Sequence, residues 1–212
     1  MRILLVGATG TIGRAIAEAL DSPHEVIRVG CNTGDLRVNL TSKNSIKKLF
    51  QSVGPCDAVI CAASAGKIGR STGGMEATLK PGLDTKLLGQ VNLVRIAQAY
   101  LTDNGCVTLT SGSVANLPIP GAATMAAVNW AVESFVRSAA SELPRGIRIN
   151  AVSPVPVTET VQAMGIKFDD SIPAAQTALA YKESLEGQQT GEILDARAYA
   201  STSAPPARRA TA

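Results

Sequence analysis

Short apolar runs alternate with longer segments of helical period along most of the chain. The runs predict seven strands, at Arg2–Val6, Glu25–Val29, Leu36–Val38, Asp57–Ala62, Cys106–Leu109, Ile147–Ala151 and Glu192–Leu194. The periodic segments predict helices at Ile12–Leu20, Ser42–Val53, Asp84–Leu101, Ala122–Leu143 and Ala174–Glu186. Strands followed by crossover helices pair in parallel, so the pattern predicts an α/β protein with one doubly wound, seven-stranded parallel sheet.

A glycine-rich segment joins the first predicted strand to the first predicted helix, and it reads Gly7-Ala-Thr-Gly10-Thr-Ile-Gly13. Glycines at these positions suit a tight turn, the close approach of a pyrophosphate and the packing of the helix on the strand. The N–H groups of Thr11 and Ile12 would meet the phosphate charge at the helix N-terminus. A plain strand-to-helix connection is the alternative. The position of the segment favours a Rossmann fold that binds a dinucleotide.

Composition narrows the class of protein. Hydrophobic residues make up 45% of the 212 residues and charged residues 17%, which suffices for one packed domain. The net charge of +3 comes from scattered basic residues, so nothing indicates a nucleic-acid partner. The four cysteines lack metal-ligand spacing and there is one histidine, so we expect reduced thiols and no metal site. The first strand begins at Arg2 and no apolar run is long enough to span a membrane, so we expect a cytoplasmic protein without a membrane partner.

The end of the chain differs in composition from the rest. Residues 198–212 are mostly small, include two prolines and show no hydrophobic period. Such a segment buries too little apolar surface to order itself. The sequence therefore predicts a dinucleotide-binding domain over residues 1–197 and a disordered tail over 198–212.

Several further segments resemble the short-chain dehydrogenase/reductase family, in the family's order and over nearly the whole chain to Arg197. The glycine loop is similar to that of divergent members, and residues 60–64 occupy the place of the family's Asn-Asn-Ala-Gly stretch. Residues 88–94 resemble the family's fourth helix, and residues 109–114 the strand that carries its catalytic serine. The most specific match is residues 133–154, which resemble the fifth helix and sixth strand. The resemblance implies hydride transfer between a nicotinamide dinucleotide and a small-molecule carbonyl or alcohol.

Aligning the chain on that last match implies that two central catalytic residues are replaced. Met125 stands at the position of the family's tyrosine, Asn129 at that of its lysine, and Lys86 at that of its helix-four asparagine. In the family, the tyrosine exchanges a proton with the substrate oxygen, while the lysine lowers the tyrosine's pKa and holds the nicotinamide ribose. A thioether has no ionisable proton and an amide has no charge, although Asn129 can still hydrogen-bond the ribose.

Three residues are left as catalytic candidates. The spacing to Met125 leaves open whether Ser113 or Ser111 matches the family's serine, and both hydroxyls also suit a strand end and a turn. Lys86 would bring an ammonium into the pocket from which the family's lysine is missing. The alternative for Lys86 is a solvated lysine on a helix surface.

The resemblance also implies a set of cofactor contacts and favours NADP, with NAD as the alternative. No acid follows Arg28 at the tip of the second strand to bind the ribose of NAD. Cys31 occupies a position where NADP-preferring relatives often carry arginine, and Asn39 with Leu40 matches the family's adenine contact. The implied contacts are Gly7, Thr9, Gly10, Thr11, Ile12, Gly13, Arg28, Cys31, Asn32, Asn39, Leu40, Ala62, Ala63, Ser64, Asn129, Pro154 and Val157.

Two functions stay open on this basis. The first is an NADP-dependent oxidoreductase that uses a substitute proton donor, and the second is a catalytically inactive NADP(H)-binding sensor or scaffold. The short segment between Pro154 and Pro173 favours an open pocket for a small ligand. In the family, the helices around residues 84–101 and 122–143 pair across a two-fold axis, which implies a homodimer or homotetramer.

Overall fold

The chain folds around one parallel sheet. The structure, a computed structural model, describes residues 1–63, 79–117, 121–165 and 168–200. The strands within these ranges are β1 (Arg2–Val6), β2 (Glu25–Gly30), β3 (Leu36–Arg37), β4 (Cys56–Cys61), β5 (Leu101–Thr110), β6 (Arg148–Ser153) and β7 (Ile193–Asp195). Their order across the sheet is β3-β2-β1-β4-β5-β6-β7, and every neighbouring pair is parallel. The predicted fold class is confirmed, and the order reverses between β1 and β4, where a doubly wound sheet opens a crevice.

Helices cover both faces of this sheet. They are α1 (Thr11–Leu20), α2 (Lys43–Val53), α3 (Leu88–Ala97), α4 (Ala123–Ala139), α5 (Thr158–Ala163) and α6 (Ala174–Glu186). A π-helical turn, Gly82–Leu87, leads into α3, and short 3₁₀ turns cover Ser113–Ala115 and Ala196–Tyr199. Within the described ranges, no helix is both long and apolar enough to cross a membrane.

Each face of the sheet has its own hydrophobic core. Buried side chains of α2, α3 and α4 pack against one face, where Leu4 of β1 and Val59 of β4 lie. Those of α1 and α6 pack against the other face, with Ile3 of β1 and Ile60 of β4. Neighbouring residues of a strand point to opposite faces, so each central strand supplies both cores. Because helices cover both faces, the part of the sheet that a ligand can reach is the edge where the strands end.

The largest departure from the predicted elements lies around Leu101. The predicted helix reached Leu101 and the next strand began at Cys106, whereas α3 ends at Ala97 and β5 begins at Leu101. Leu101 pairs with Cys56, and the register then shifts before Cys106 pairs with Ala58. The irregularity lets one strand carry extra residues. An apolar Leu101 fits a helical and a strand pattern equally well, so the prediction was wrong here.

Other boundaries differ for local reasons. Helix α4 stops at Ala139 rather than Leu143, because Leu143 precedes Pro144 and that position disfavours helical backbone. The short segment after β6 contains α5, and residues 166–167 within it lie outside the described ranges. The final 3₁₀ turn continues through Tyr199, two residues into the predicted tail, and residues 201–212 lie outside the described ranges.

Candidate functional site

The glycine-rich segment turns the chain from β1 into α1 at the carboxyl edge of the sheet. Gly7 has a φ of +88°, a conformation that glycine adopts at little cost. Its carbonyl accepts a hydrogen bond of 3.1 Å from the N–H of Gly10, the residue before α1. The cap residue of α1 is Gly10, which has no side chain to cap the helix, so the first-turn N–H groups, which include those of Thr11 and Ile12, are available to an anion.

Close backbone contacts shape the cradle around this loop. A Cβ atom on Gly13 would lie 2.0 Å from the carbonyl oxygen of Gly7, and one on Gly7 would lie 2.5 Å from the nitrogen of Ala63. A Cβ on Gly10 would lie 3.4 Å from the carbonyl oxygen of Gly7, an ordinary van der Waals contact, so the backbone leaves room beside Gly10. The N–H of Ala62 donates to the carbonyl of Val6, the last residue of β1, at 2.8 Å. This bond holds the end of β4 against the loop. The other predicted contact here, Ser64, lies outside the described residues.

A cavity of about 310 Å³ lies beside the loop, on the side of β2. Its lining residues are Ala8, Thr9, Arg14, Ala17, Glu18 and Arg28. The guanidinium of Arg14 donates to the carbonyl of Thr9 at 2.9 Å, and that of Arg28 pairs with Asp21. Arg14 was missed at the sequence level, although its place directly after Gly13 was a usable signal.

The tip of β2 leads into an exposed turn. Cys31 and Asn32 lie in this turn with exposed side chains, as predicted contacts of a bound cofactor would require. Asp35 follows them, and its carboxylate accepts a hydrogen bond of 2.8 Å from the N–H of Arg28. That hydrogen bond holds the Asp35 carboxylate against the backbone of β2.

Asn39 and Leu40 connect β3 to α2. The side-chain oxygen of Asn39 accepts hydrogen bonds from the N–H and the hydroxyl of Thr41, at 3.0 and 2.8 Å. Leu40 is buried, and a Cβ on Gly89 of α3 would lie 3.0 Å from its Cβ. Asn39 thus forms a local turn on the surface, while Leu40 packs in the core beneath it.

The two candidate serines follow the end of β5 and have different surroundings. The hydroxyl of Ser111 donates to Oε1 of Glu133 at 3.0 Å. The N–H of Ser113 donates to the carbonyl of Pro154 at 2.9 Å. Among the described residues, the buried Oγ of Ser113 has no hydrogen-bond partner. The hydroxyl of Ser111 is therefore committed to a carboxylate, while that of Ser113 is available.

Lys86 lies in the π-helical turn before α3 and is 7% exposed. Its Nζ donates to the carbonyl of Ser111 at 2.5 Å. Gln90 donates to the carbonyls of Lys86 and Thr110 at 2.8 and 3.1 Å, and accepts the N–H of Thr110 at 2.9 Å. The Gln90 side chain thus ties the turn that carries Lys86 to the end of β5. Helical turns of this kind are frequent at functional sites.

Burial changes the acidity of Lys86. It lowers the pKa of Lys86 to about 8, because the charged ammonium loses hydration, while nearby Cys61 and Glu133 oppose the shift. Burial raises the pKa of Cys61 itself to about 11, so that thiol is neutral at pH 7. Lys86 is thus mostly protonated at neutral pH, yet gives up its proton more readily than a solvated lysine.

Known proteins share this architecture. The family model described as Enoyl-(Acyl carrier protein) reductase matches residues 7–195. The chain belongs to the short-chain dehydrogenase/reductase family. The structure of the protein lin1944 from Listeria innocua is 40% identical, covers 92% of this chain and 98% of its own, and has a TM-score of 0.87. Two structures described as small-chain dehydrogenases, the second in complex with NADPH, are each 27% identical over 92% of this chain and 95% of theirs, with TM-scores of 0.79 and 0.78. None of the curated proteins compared with the chain matches it.

In this short-chain dehydrogenase/reductase, Met125 and Asn129 lie one turn apart on α4. Met125 is half-buried and Asn129 is buried. The Asn129 amide donates to the carbonyl of Gly112 at 3.4 Å, and its Oδ1 has no hydrogen-bond partner within the described ranges. A Cβ on Gly112 would lie 2.8 Å from the amide nitrogen of Asn129, so a side chain at position 112 would displace that amide. Among the described residues, an acceptor on Asn129, which contacts Gly112, and a hydroxyl on Ser113, the next residue of the chain, are therefore both without a partner.

Glu133, one further turn along α4, was missed at the sequence level as a site residue. It is 1% exposed, and besides Ser111 it has the Asn116 amide at 3.5 Å and the Arg137 guanidinium at 3.6 Å. A glutamate four residues after Asn129, on the same helix face, was the available signal. A carboxylate so deeply buried needs polar or charged neighbours.

The last two predicted contacts follow β6 at the same edge of the sheet. Pro154 binds Ser113 through its carbonyl, whereas Val157 is buried and forms a parallel bridge with Ile172. In the part of the chain that the structure describes, no three His, Cys, Asp or Glu side chains lie close enough together to hold a metal ion.

Proposed function

We propose that this protein is an NADP(H)-dependent oxidoreductase that acts on a carbonyl or an alcohol. Family membership, the NADPH complex of a 27% identical relative and the uncapped N-terminus of α1 support this. The loop Gly7–Gly13 fits a pyrophosphate, because its backbone leaves room beside Gly10 and the first turn of α1 offers N–H groups to an anion. Asn129 Oδ1 would accept a hydrogen bond from the nicotinamide ribose. When bound, the dinucleotide supplies or accepts the hydride.

The surroundings of β2 favour NADP over NAD. Arg14, Arg28 and Thr9 border one cavity, and an additional phosphate there would meet two guanidinium groups. Arg28 pairs with Asp21, but both side chains are partly exposed, so the exchange of that pair for a phosphate costs little. Asp35, the acid that follows the β2 tip, binds the backbone of Arg28 instead. NAD is the alternative cofactor.

The observation that carries the catalytic proposal is a buried ammonium at the carboxyl end of β5. Lys86 Nζ binds the carbonyl of Ser111, two residues from the unpaired hydroxyl of Ser113. We assign Lys86 to hold the proton that the substrate oxygen gains on reduction, and Ser113 to donate a hydrogen bond to that oxygen. A positioned proton donor contributes about 10²- to 10⁴-fold to rate, and Met125 makes no such contribution.

A specific observation favours a second function, a catalytically inactive NADP(H)-binding sensor or scaffold. The positions of the family's proton donor and its lysine are held by Met125 and Asn129. Neither side chain exchanges protons near neutral pH. In that case the cradle at Gly7–Gly13 would keep its ligand, and Lys86 would serve packing alone.

Binding and turnover together separate the two functions. Binding of NADPH and NADH is measured by cofactor fluorescence, and turnover against a panel of carbonyl substrates. We expect tighter binding of NADPH, and turnover that falls at least about tenfold in Lys86→Met without a matching loss of NADPH affinity. Lys80→Met is the control, because Lys80 is exposed and pairs only weakly with Asp84. Unchanged turnover in Lys86→Met would exclude Lys86 as the proton donor.

Restoring the family's residues gives a complementary test. The double variant Met125→Tyr with Asn129→Lys should turn over a generic carbonyl substrate faster than the parent, because it regains an ionisable hydroxyl and a cation. If neither the parent nor this variant shows turnover while both bind NADPH, the sensor or scaffold function is favoured.

We further propose a homodimer or homotetramer that pairs through α3 and α4, with a small molecule as the other partner. The cytoplasmic location stays a prediction.

A further inference from the structure

Two opposite charges are buried on either side of Ser111. The Lys86 ammonium, 7% exposed, donates to the carbonyl of Ser111 at 2.5 Å. The Glu133 carboxylate, 1% exposed, accepts the hydroxyl of the same residue at 3.0 Å. The lysine comes from the turn before α3 and the glutamate from α4, so the fold brings them together from two elements at the end of β5.

A buried charge requires compensation. Moving an ammonium or a carboxylate out of water costs several kcal/mol unless an opposite charge or strong hydrogen bonds replace the hydration. The carbonyl of Ser111 offers Lys86 only a dipole, and Glu133 offers it a full negative charge nearby. Glu133 has the Arg137 guanidinium at 3.6 Å, but that side chain is about half exposed and lies on the solvent side.

We propose that Glu133 is a positioning residue, which serves as the buried counter-charge of the Lys86 ammonium, with Ser111 as the bridge between them. The role rests on the proposed function only in so far as Lys86 is the proton donor. Glu133 itself touches neither substrate nor cofactor in this scheme. Glu133 keeps the Lys86 ammonium charged and in position.

The surroundings leave Glu133 as the group that can perform this role. Among the described residues, the titratable groups whose charge acts on the pKa of Lys86 are Cys61 from β4 and Glu133 from α4. Burial raises the pKa of Cys61 to about 11, so its thiol carries no charge at neutral pH. Gln90, on α3 directly after the turn that carries Lys86, does not titrate, and Asp84 in that turn pairs with Lys80.

Lys86 can be observed directly. In protein labelled with ¹³C-lysine, the Cε signal of Lys86 is identified by its loss in Lys86→Met and titrated with pH by NMR. We expect Glu133→Gln to lower the pKa of Lys86 by about one unit, a roughly tenfold fall in the ratio of charged to neutral amine. Where turnover is measurable, the alkaline limb of its pH profile should move in the same direction by a similar amount.

Two variants serve as matched controls. Glu142→Gln removes the same charge at an exposed position beyond α4 and should leave the titration of Lys86 unchanged. Arg137→Met removes the neighbour of Glu133 while keeping its carboxylate, and should not lower the pKa of Lys86. An unchanged titration in Glu133→Gln would overturn the proposal. A lowered pKa in a protein without turnover would support the counter-charge and count only against the proposed activity.

A double-mutant cycle covers the case in which Glu133→Gln folds poorly. Chemical unfolding is measured for Glu133→Gln, Lys86→Met and the variant that combines them. If the two side chains compensate each other, the combined variant should be more stable than the sum of the single effects predicts, because neither charge is left alone. Additive effects would contradict the proposal.

Discussion

The chemistry of the candidate site depends on a small number of buried polar residues at the end of β5. The resemblance to the family implies that Lys86 stands where the family has an asparagine, which would replace a neutral amide by a cation. Because the side chain is buried, that cation has an effect on folding as well as on any reaction. Its titration can therefore be followed through the stability of the protein.

Lys86 should make stability depend on pH in the alkaline range. Its pKa is lowered from 10.5 to about 8 on folding, so between these pH values the unfolded chain binds more protons than the folded one. The free energy of unfolding should therefore rise with pH across this window, by roughly 3 kcal/mol in total, since one pKa unit corresponds to about 1.4 kcal/mol. Below pH 8 both states are protonated, and this contribution is constant.

Urea unfolding at several pH values between about 7.5 and 10 measures this rise. Other groups titrate in the same range, so the informative quantity is the difference between the parent and Lys86→Met. That difference should change across the window, whereas Lys80→Met should follow the parent. A pH-independent difference would show that Lys86 is not buried as a titrating amine.

At the scale of elements, the loop between β1 and α1 is fixed by contacts that leave no room for a side chain at Gly13. In Gly13→Ala the added Cβ would lie 2.0 Å from the carbonyl oxygen of Gly7, so α1 must move away from β1. We expect a loss of about 1–3 kcal/mol of stability together with a large loss of NADPH affinity. The measurements are urea unfolding and cofactor fluorescence.

Gly10→Ala is the matched variant for this loop. Its Cβ would lie 3.4 Å from the nearest atom, and its backbone suits any residue, so folding should be nearly unchanged. NADPH affinity should still fall, since the methyl group enters the space proposed for the pyrophosphate. Normal NADPH binding by both variants would contradict the assignment of this loop.

Gln90 links two elements, and its loss should be costly. Gln90→Leu would remove the side chain that bonds the N–H and carbonyl of Thr110 and the carbonyl of Lys86. Each buried group left unpaired costs about 1–3 kcal/mol, so we expect a fall in the midpoint of urea denaturation. Ser52→Ala, which removes one side-chain hydrogen bond within α2, should have a much smaller effect. Similar effects of the two changes would mean that Gln90 does not tie the turn to β5.

Sequence-based prediction succeeded for elements that local patterns determine and failed where contacts between distant segments decide the structure. Strand and helix identity came from local periodicity, and the glycine loop from the spacing of three residues, so both were predicted. Leu101 was misplaced because its strand pairing with Cys56 is set by tertiary structure. Gln90 was missed because its hydrogen bonds join distant segments, and the spacing that links Glu133 to Asn129 did not reveal that Glu133 is buried against Ser111.

At the scale of the whole molecule, α3 and α4 expose apolar side chains that the single chain does not cover. Leu88 on α3 is 49% exposed and Trp130 on α4 is 54% exposed. Isolated exposed apolar residues are common, but here they lie on the two helices through which the family pairs. They are therefore the residues on which to test assembly.

We expect a dimer or tetramer by light scattering at micromolar concentration, and a smaller particle for Trp130→Glu and Leu88→Glu. A charge in an apolar interface is costly unless it is paired, so each variant should weaken association. Leu179→Glu, at an exposed position on α6, is the control and should keep the parental mass. Trp130 is the sole tryptophan, so its emission in the parent should shift to longer wavelength as dilution separates the subunits. A monomer at all concentrations would contradict the assembly proposed.

Thr110, at the end of β5, contacts the helices on both faces of the sheet. Gln90 binds its backbone from the side of α3, while its hydroxyl lies 2.7 Å from that of Tyr181 on α6 and donates to the carbonyl of Cys61 at 2.6 Å. Strand ends usually open by fraying, but here the Gln90 side chain must leave before the Thr110 amide meets water, and the contact with Tyr181 holds the same residue from the other layer. Its hydrogen exchange should therefore be as slow as that of residues in the middle of β5, and Ser111 and Ser113 follow a support that does not open locally.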